Sequence, residues 1–247
     1  MPEGPTIILA AEKLSGFIGK TVQKVAGYKN APQRSLKGRR LTAIHTWGKH
    51  LLLVFGDRTL RVHFLLFGSM AVNPGDKRRA KLALHFTGGD TMAFYLCSLE
   101  MITEPLADHY DWTVDILSAQ WKPANAVKKM AARGDMLICD CLMDQQIVSG
   151  SGNIIKNETL FRARLHPMSR AGEIPLPVLR KLVGEVRRFA KAFLRYKRAD
   201  TLNRHLLVYE QTECPRCHIP LQRKELGKTK RLLLQQLPGA LLIIFAA

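Results

Sequence analysis

Residues 149–158 read SGSGNIIKNE. Two glycines, Gly150 and Gly152, and an amide, Asn153, stand just ahead of a helix start and just after the helical run LMDQQIV at 142–148. Glycine allows a tight turn and a close backbone approach. The N–H groups at a helix N-terminus attract an anion such as a phosphate. No G-K-[ST] follows, so the stretch is not a P-loop. On the residues alone two readings stay open: a glycine-rich turn between helices, and a phosphate contact centred on Asn153.

The flanks decide what kind of domain holds this stretch. ANAVKKMAARG (124–134) and DMLICDCLMDQQIV (135–148) read as helices. In PVLRKLVGEVRRFAKAFLRYKR (177–198), Leu179, Leu182, Val183, Val186, Phe189, Ala190 and Phe193 fall on one face, with Arg and Lys opposite. That is the pattern of an amphipathic helix. Towards the N-terminus the character changes. PTIILAAEKLSGFIG (5–19) is expected to be a helix with Pro5 in its first turn. After it come β-rich runs at 21–28, 41–55, 59–70 and 81–96, the last with a GGD hairpin signal. A β-rich N-terminal domain is therefore expected to meet a helical C-terminal domain near residues 109–120. A cleft between two domains is a natural place for an active site.

The 247 residues suffice for one large or two small domains. With 47% apolar and 23% charged residues the chain is expected to be globular. The formal net charge is +18. Through residue 120 there are 15 Lys/Arg against 10 Asp/Glu, and beyond it 23 against 10. A polyanion is the simplest partner for such a surface, and the C-terminal half should hold it. The N-terminus lacks the pattern of a signal peptide. The C-terminal tract LLLQQLPGALLIIFAA is short, with two glutamines and a proline, and is not expected to span a bilayer. Five cysteines form no disulfide framework, which points to a cytoplasmic protein.

Four further motifs bear on chemistry. The chain opens MPEGP. Removal of Met1 ahead of Pro2 would expose a secondary amine of pKa roughly 7.7–8.0, partly neutral and nucleophilic near neutral pH. Attack on an aldehyde carbon would give an iminium, an electron sink for elimination. Glu3 could shuttle protons beside it, or simply be a helix N-terminal acid. Lys49, in TWGKHLLLV, is either a solvated strand residue or a cation that lowers the amine's pKa and acts on a leaving group. Leu65, Leu66 and Phe67, in HFLLFGSM, are either strand core or a wedge for the gap left by an everted nucleotide. ECPRCHIPL places Cys214 and Cys217 at the spacing of half a zinc site; with His218 it also matches a haem attachment signal, set aside because nothing targets the chain for export.

In order along the chain, MPEGP, GKHLL, H-x-x-L-x-G, DQQIVSGSGNIIKNE-x-LFRARLHP and VYEQTECPRC resemble the formamidopyrimidine-DNA glycosylase/endonuclease VIII family. The resemblance runs from residue 2 to about residue 231. It implies an α+β fold: a β-sandwich domain with flanking helices (1–108), a hinge (109–120), a helix–two-turn–helix DNA-binding domain (121–205) and a zinc-finger segment (206–231). It implies Pro2 as Schiff-base nucleophile, Glu3 as proton donor, Lys49 as a second catalytic group and Asn153 as a phosphate contact, with zinc as the structural metal. The implied activity is a DNA glycosylase and AP lyase of base excision repair, working as a monomer on duplex DNA with oxidised bases or abasic sites in a bacterial cytoplasm. YKRADTLNRHLLVYE (196–210) lacks the glycine-rich segment of the 8-oxoguanine enzymes, and Leu65–Phe67 resemble the endonuclease VIII wedge, so oxidised pyrimidines are the expected substrates.

The chain departs from this family at the finger. The pattern C-x2-C-x16-C-x2-C is followed through GKTKR and then gives way to an apolar tail at 232–247. A one-nucleotide slip in a suitable codon series would turn Leu232–Gly239 into YFCNSCQE, with cysteines at 234 and 237. The family's finger arginine would fall at Thr229, and Arg231 is the nearby candidate. As written, only Cys214 and Cys217 are available to a metal. The alternative expectation is therefore a damaged-DNA binder whose incomplete finger impairs catalysis.

Overall fold

A computed structural model of the chain describes residues 2–27, 32–75, 79–226 and 229–235. It divides into two compact units, Met1–Trp112 and Thr113–Ala247.

The first unit opens with α1 (Gly4–Leu14), followed by β1 (Val22–Gly27), β2 (Ala43–Trp47), β3 (His50–Phe55), β4 (Arg58–Val72), β5 (Leu82–Phe86), β6 (Thr91–Ile102) and the single turn α2 (Leu106–His109). The strands form one sheet in the order β1-β5-β6-β4-β3-β2, every neighbour antiparallel. Its core gathers Ile7 and Leu14 of α1 with Val22, Leu51, Leu53, Phe55, Leu60, Val62, Phe86 and Phe94. Burial of side chains this size contributes about 1.5–3 kcal/mol each. Phe17 meets Phe86 edge-on at 5.0 Å. α1 packs on β2 and β3, and this brings the start of the chain to the β2–β3 hairpin.

The β-rich run 41–55 folds back at Gly48–Lys49, the pair that sits between its two β segments, with Trp47 paired to His50. Gly48 has φ +53°. A glycine that adopts positive φ at the first position of a two-residue turn suits the right-handed twist of the flanking strands. The GGD signal does mark the β5–β6 turn, with Gly88 and Gly89 both at positive φ.

The second unit contains α3 (Pro123–Ala131), α4 (Ile138–Met143), α5 (Asn153–Ala163), α6 (Leu176–Arg198) and a two-stranded hairpin of β7 (Leu221–Leu226) and β8 (Thr229–Gln235). All seven apolar positions assigned to one face of 177–198 are buried in α6. The helix expected over 135–148 is only the six residues of α4. Asp144 ends it, because its Oδ1 accepts the Gln146 N–H at 2.8 Å and its carbonyl accepts those of Ile147 and Val148. A second turn follows, closed by Ser151 N–H to Val148 O at 3.3 Å. Helix, two turns and helix thus follow one another from α4 to α5. Residues 232–235, read as the start of an apolar tail, pair with 221–224 as part of β8. The tail from 236 to 247 lies outside the described residues.

Candidate active site and nucleic-acid interface

Glu3 is the N-cap of α1 and is fully buried. Its backbone N–H donates to Thr6 Oγ1 (3.0 Å), and the Thr6 hydroxyl donates to the Glu3 carbonyl (2.8 Å). This reciprocal pair fixes the entry of the chain into the helix. The carboxylate therefore sits at the positive end of the α1 dipole. Pro2, half-buried, precedes it directly. Lys49 stands at the tip of the β2–β3 hairpin. Desolvation holds its pKa below the ordinary lysine range, and the charge of Glu3 partly offsets this. Pro2, Glu3 and Lys49 thus belong to one corner of the first unit.

Around Lys49 lies a cluster that reading the sequence missed. His50 and His63 are cross-strand partners on β3 and β4, their rings 5.2 Å apart. His50 Nδ1 and Tyr110 Oη are 3.2 Å apart, and Trp47 Nε1–H donates to the Asp111 carbonyl at 3.0 Å. Desolvation, then the charges of Arg61, His63, His109 and Lys49, push the His50 pKa down to about 3. His63 is lowered by desolvation, then by Lys49 and Arg61. Both imidazoles are therefore neutral near pH 7, which spares Lys49 two further positive neighbours. Burial raises the Tyr110 pKa to about 12. The available signal was the alternation of β3 and β4, which puts 50 and 63 opposite each other once the turn at Gly56–Asp57 is recognised.

Leu65, Leu66 and Phe67 are not strand core. They are 51%, 57% and 77% exposed, and Leu96 beside them is 53% exposed. Between Phe64↔Cys97 and Ser69↔Tyr95, four residues of β4 oppose the single Leu96 of β6. Leu96 takes φ +46° to span the gap. Gly68 closes the protrusion, and a Cβ there would lie 2.5 Å from the Leu96 carbonyl oxygen and 2.8 Å from Leu65 N.

In the second unit, Asn153 is the first residue of α5, after the N-cap Gly152. The preceding loop is braced by Gln145. Its Nε2 donates to the carbonyls of Met143 (2.8 Å) and Ser151 (3.1 Å), and its Oε1 accepts the Gly150 N–H (3.0 Å). Gly150 has φ +94°. The Lys156 ammonium donates to Asn153 Oδ1 at 2.9 Å. Deeper in α5, Glu158 Oε1 accepts the N–H groups of Leu207, Val208 and Tyr209 at 2.9, 2.8 and 3.0 Å, while Oε2 meets Arg162 at 3.2 Å. This ties the segment leading to Cys214 onto α5.

Domain models of one family match both units: the formamidopyrimidine-DNA glycosylase N-terminal domain over residues 1–95 and its H2TH domain over 113–202. The chain belongs to the formamidopyrimidine-DNA glycosylase family. Mouse endonuclease 8-like 2 is 37% identical over 66% of this chain and 51% of its own length. Mouse endonuclease 8-like 3 is 29% identical over 94% of this chain and 45% of its own. The chain thus spans about half the length of these curated relatives. In fold it is similar to the Lactococcus lactis formamidopyrimidine-DNA glycosylase bound to abasic-site DNA (TM-score 0.81, 18% identity, 94% of this chain and 97% of that one). The Thermus thermophilus enzyme is also similar (TM-score 0.79, 22% identity, 93% and 96%).

Zinc fingers are general in this family, and the residues of this chain fit one poorly. Cys214 is buried and its Sγ accepts the Arg216 N–H at 3.4 Å. Cys217 is half-buried, and His218 Nδ1 lies 2.8 Å from Glu213 Oε1. Among the described residues, no group of three or more His, Cys, Asp or Glu is arranged to hold a metal ion, whereas a structural zinc takes four ligands. A two-stranded hairpin, β7–β8, is nonetheless formed in the segment after Cys217. Arg231 lies on β8, and its side chain is outside the described part. Among the described residues no helix is long and apolar enough to cross a membrane.

Proposed function

We propose that this chain is a bifunctional DNA glycosylase and AP lyase that removes oxidised bases, pyrimidines foremost, from duplex DNA. One observation carries the reading: a desolvated lysine and a buried carboxylate at a helix N-terminus interact beside Pro2. The family membership and the abasic-site DNA named for the Lactococcus structure support it. The endonuclease 8-like names of the relatives support the pyrimidine preference.

Once Met1 is removed, the Pro2 nitrogen attacks C1′ of the damaged nucleotide. The N–C1′ bond forms as the bond from C1′ to the base breaks, and the base leaves with a proton. Glu3 gives a proton to the ring oxygen as the sugar opens to an iminium. Loss of a C2′ proton then expels the 3′ phosphate and cuts the strand. Lys49, lowered from the ordinary lysine range, takes and returns protons in these steps. Leu65–Phe67 enter the stack where the nucleotide was everted, and Asn153 donates to a backbone phosphate.

Borohydride trapping on abasic-site duplex tests this. Wild type is expected to give a covalent complex; Pro2→Gly, or a tag left ahead of Pro2, should give none. Equal trapping in all three overturns the mechanism. A second reading, a damaged-DNA binder without catalysis, is favoured by the two-thiol finger. Tight binding with no trapping in the wild type would establish that reading instead.

A further inference from the structure

Within the buried polar row of α5 stands a cation with no part in the steps above. Lys156 is fully buried, one turn into the helix. Neither place suits a cation. Taking an ammonium out of water costs several kcal/mol, and the N-terminal turn is the positive end of the helix dipole.

Its bond to Asn153 has a chemical consequence. An ammonium carries three donors and no acceptor. The end of the carboxamide that faces Lys156 must be the oxygen, as the 2.9 Å contact has it. The NH2 at the opposite end of that planar group then faces away from the ammonium, and NH2 is the end that phosphate oxygens can accept from. The terminal torsion of asparagine is broad and roughly two-fold, so the helix alone does not choose between the two orientations. The loop backbone is held by Gln145, whereas the Lys156 ammonium acts on the Asn153 side chain itself.

We propose that Lys156 is a positioning residue for the phosphate contact of Asn153: it selects the orientation of the amide without touching the DNA. The proposal rests on the reading of Asn153 as a phosphate donor. The test uses the full chain and a duplex with a tetrahydrofuran abasic analogue. Binding is followed by fluorescence anisotropy over a range of NaCl concentrations, with a thermal melt of each variant. Lys156→Met is expected to weaken binding about tenfold, the scale of one mispositioned hydrogen bond to a charged group. Lys156→Arg, which keeps a donor, should recover most of it. Asn153→Ala should weaken binding at least as much, and Lys156→Met should add nothing in that background. The slope of log K against log salt should match wild type in Lys156→Met.

Wild-type affinity in Lys156→Met, with Asn153→Ala weakened, overturns the proposal alone. So does an additive double variant, or a salt slope shallower by about 0.9, the mark of a direct phosphate contact. Unimpaired binding by Asn153→Ala overturns the role of Asn153 and the proposal together. Should Lys156→Met lose its cooperative melt, Lys156→Gln and Lys156→Arg carry the test: weak binding by both in folded protein overturns the proposal.

Discussion

Two segments of this molecule invert the usual sorting of residues, in opposite directions. On β4, Leu65, Leu66 and Phe67 are apolar and outside. On α5, Lys156, Asn157, Glu158 and Thr159 are polar and inside. The exposed apolar tip costs the fold little, because it leaves no buried polar group without a partner. The buried polar row is costly unless each group finds a partner. Glu158 has four, three backbone N–H groups and Arg162. The Thr159 hydroxyl bonds back to the Ile155 carbonyl at 2.7 Å. The first segment is therefore free to serve a ligand without harm to the fold, whereas the second serves the fold and any ligand at once.

The largest effect that would break this contrast is expected at Glu158. Glu158→Ala leaves three N–H groups and Arg162 without their acceptor and should lower stability by about 3–5 kcal/mol in urea melts. A wild-type melt would mean the buried row is not structural. Next is Gly68→Ala, whose Cβ meets backbone on two sides. It should cost about 1–3 kcal/mol, with the loss read from the same melts. Replacing Leu65, Leu66 and Phe67 together by alanine should leave stability within about 0.5 kcal/mol yet weaken binding to abasic-site duplex about tenfold. A marked fall in the melt would return these residues to the core. The smallest effect at neutral pH belongs to His50, which lies between the two extremes. Its native pKa of about 3 lies below the unfolded value near 6.5. The unfolded chain thus binds a proton that the native state refuses, and stability falls as pH drops from about 6.5 towards 3. His50→Gln should flatten that acid limb. An unchanged pH profile would show that His50 is not held neutral.

The same contrast explains what the sequence could reveal. The apolar face of α6 was legible because its opposite face is solvated, so the 3.6-residue period stands out. α5 is buried nearly all round, and a helix enclosed in this way shows no period; its Lys156 and Glu158 read like ordinary surface charges. Asn153 was named from the glycines before it, but nothing local pointed to the lysine that orients it. Pro2, Glu3 and Lys49 were found by motif, and burial and charge now relate the last two. His50 and His63 needed the strand register, thirteen residues apart in sequence and adjacent only after the Gly56–Asp57 turn between β3 and β4 is drawn. The α4 helix was overextended because LMDQQIV carries no proline or glycine to stop it, and the stop is the Asp144 side chain instead.

The protrusion on β4 carries a last consequence, for how this kind of molecule changes over time. Pairing resumes at Ser69↔Tyr95 as soon as the three extra residues have passed. The strands on either side therefore do not register how long or how bulky the insertion is. Provided a glycine closes it, as Gly68 does, other side chains, or one residue more or fewer, can be tried at the tip while the sheet keeps its alignment. Such a tip can be exchanged between lineages in single steps, without first dismantling the scaffold.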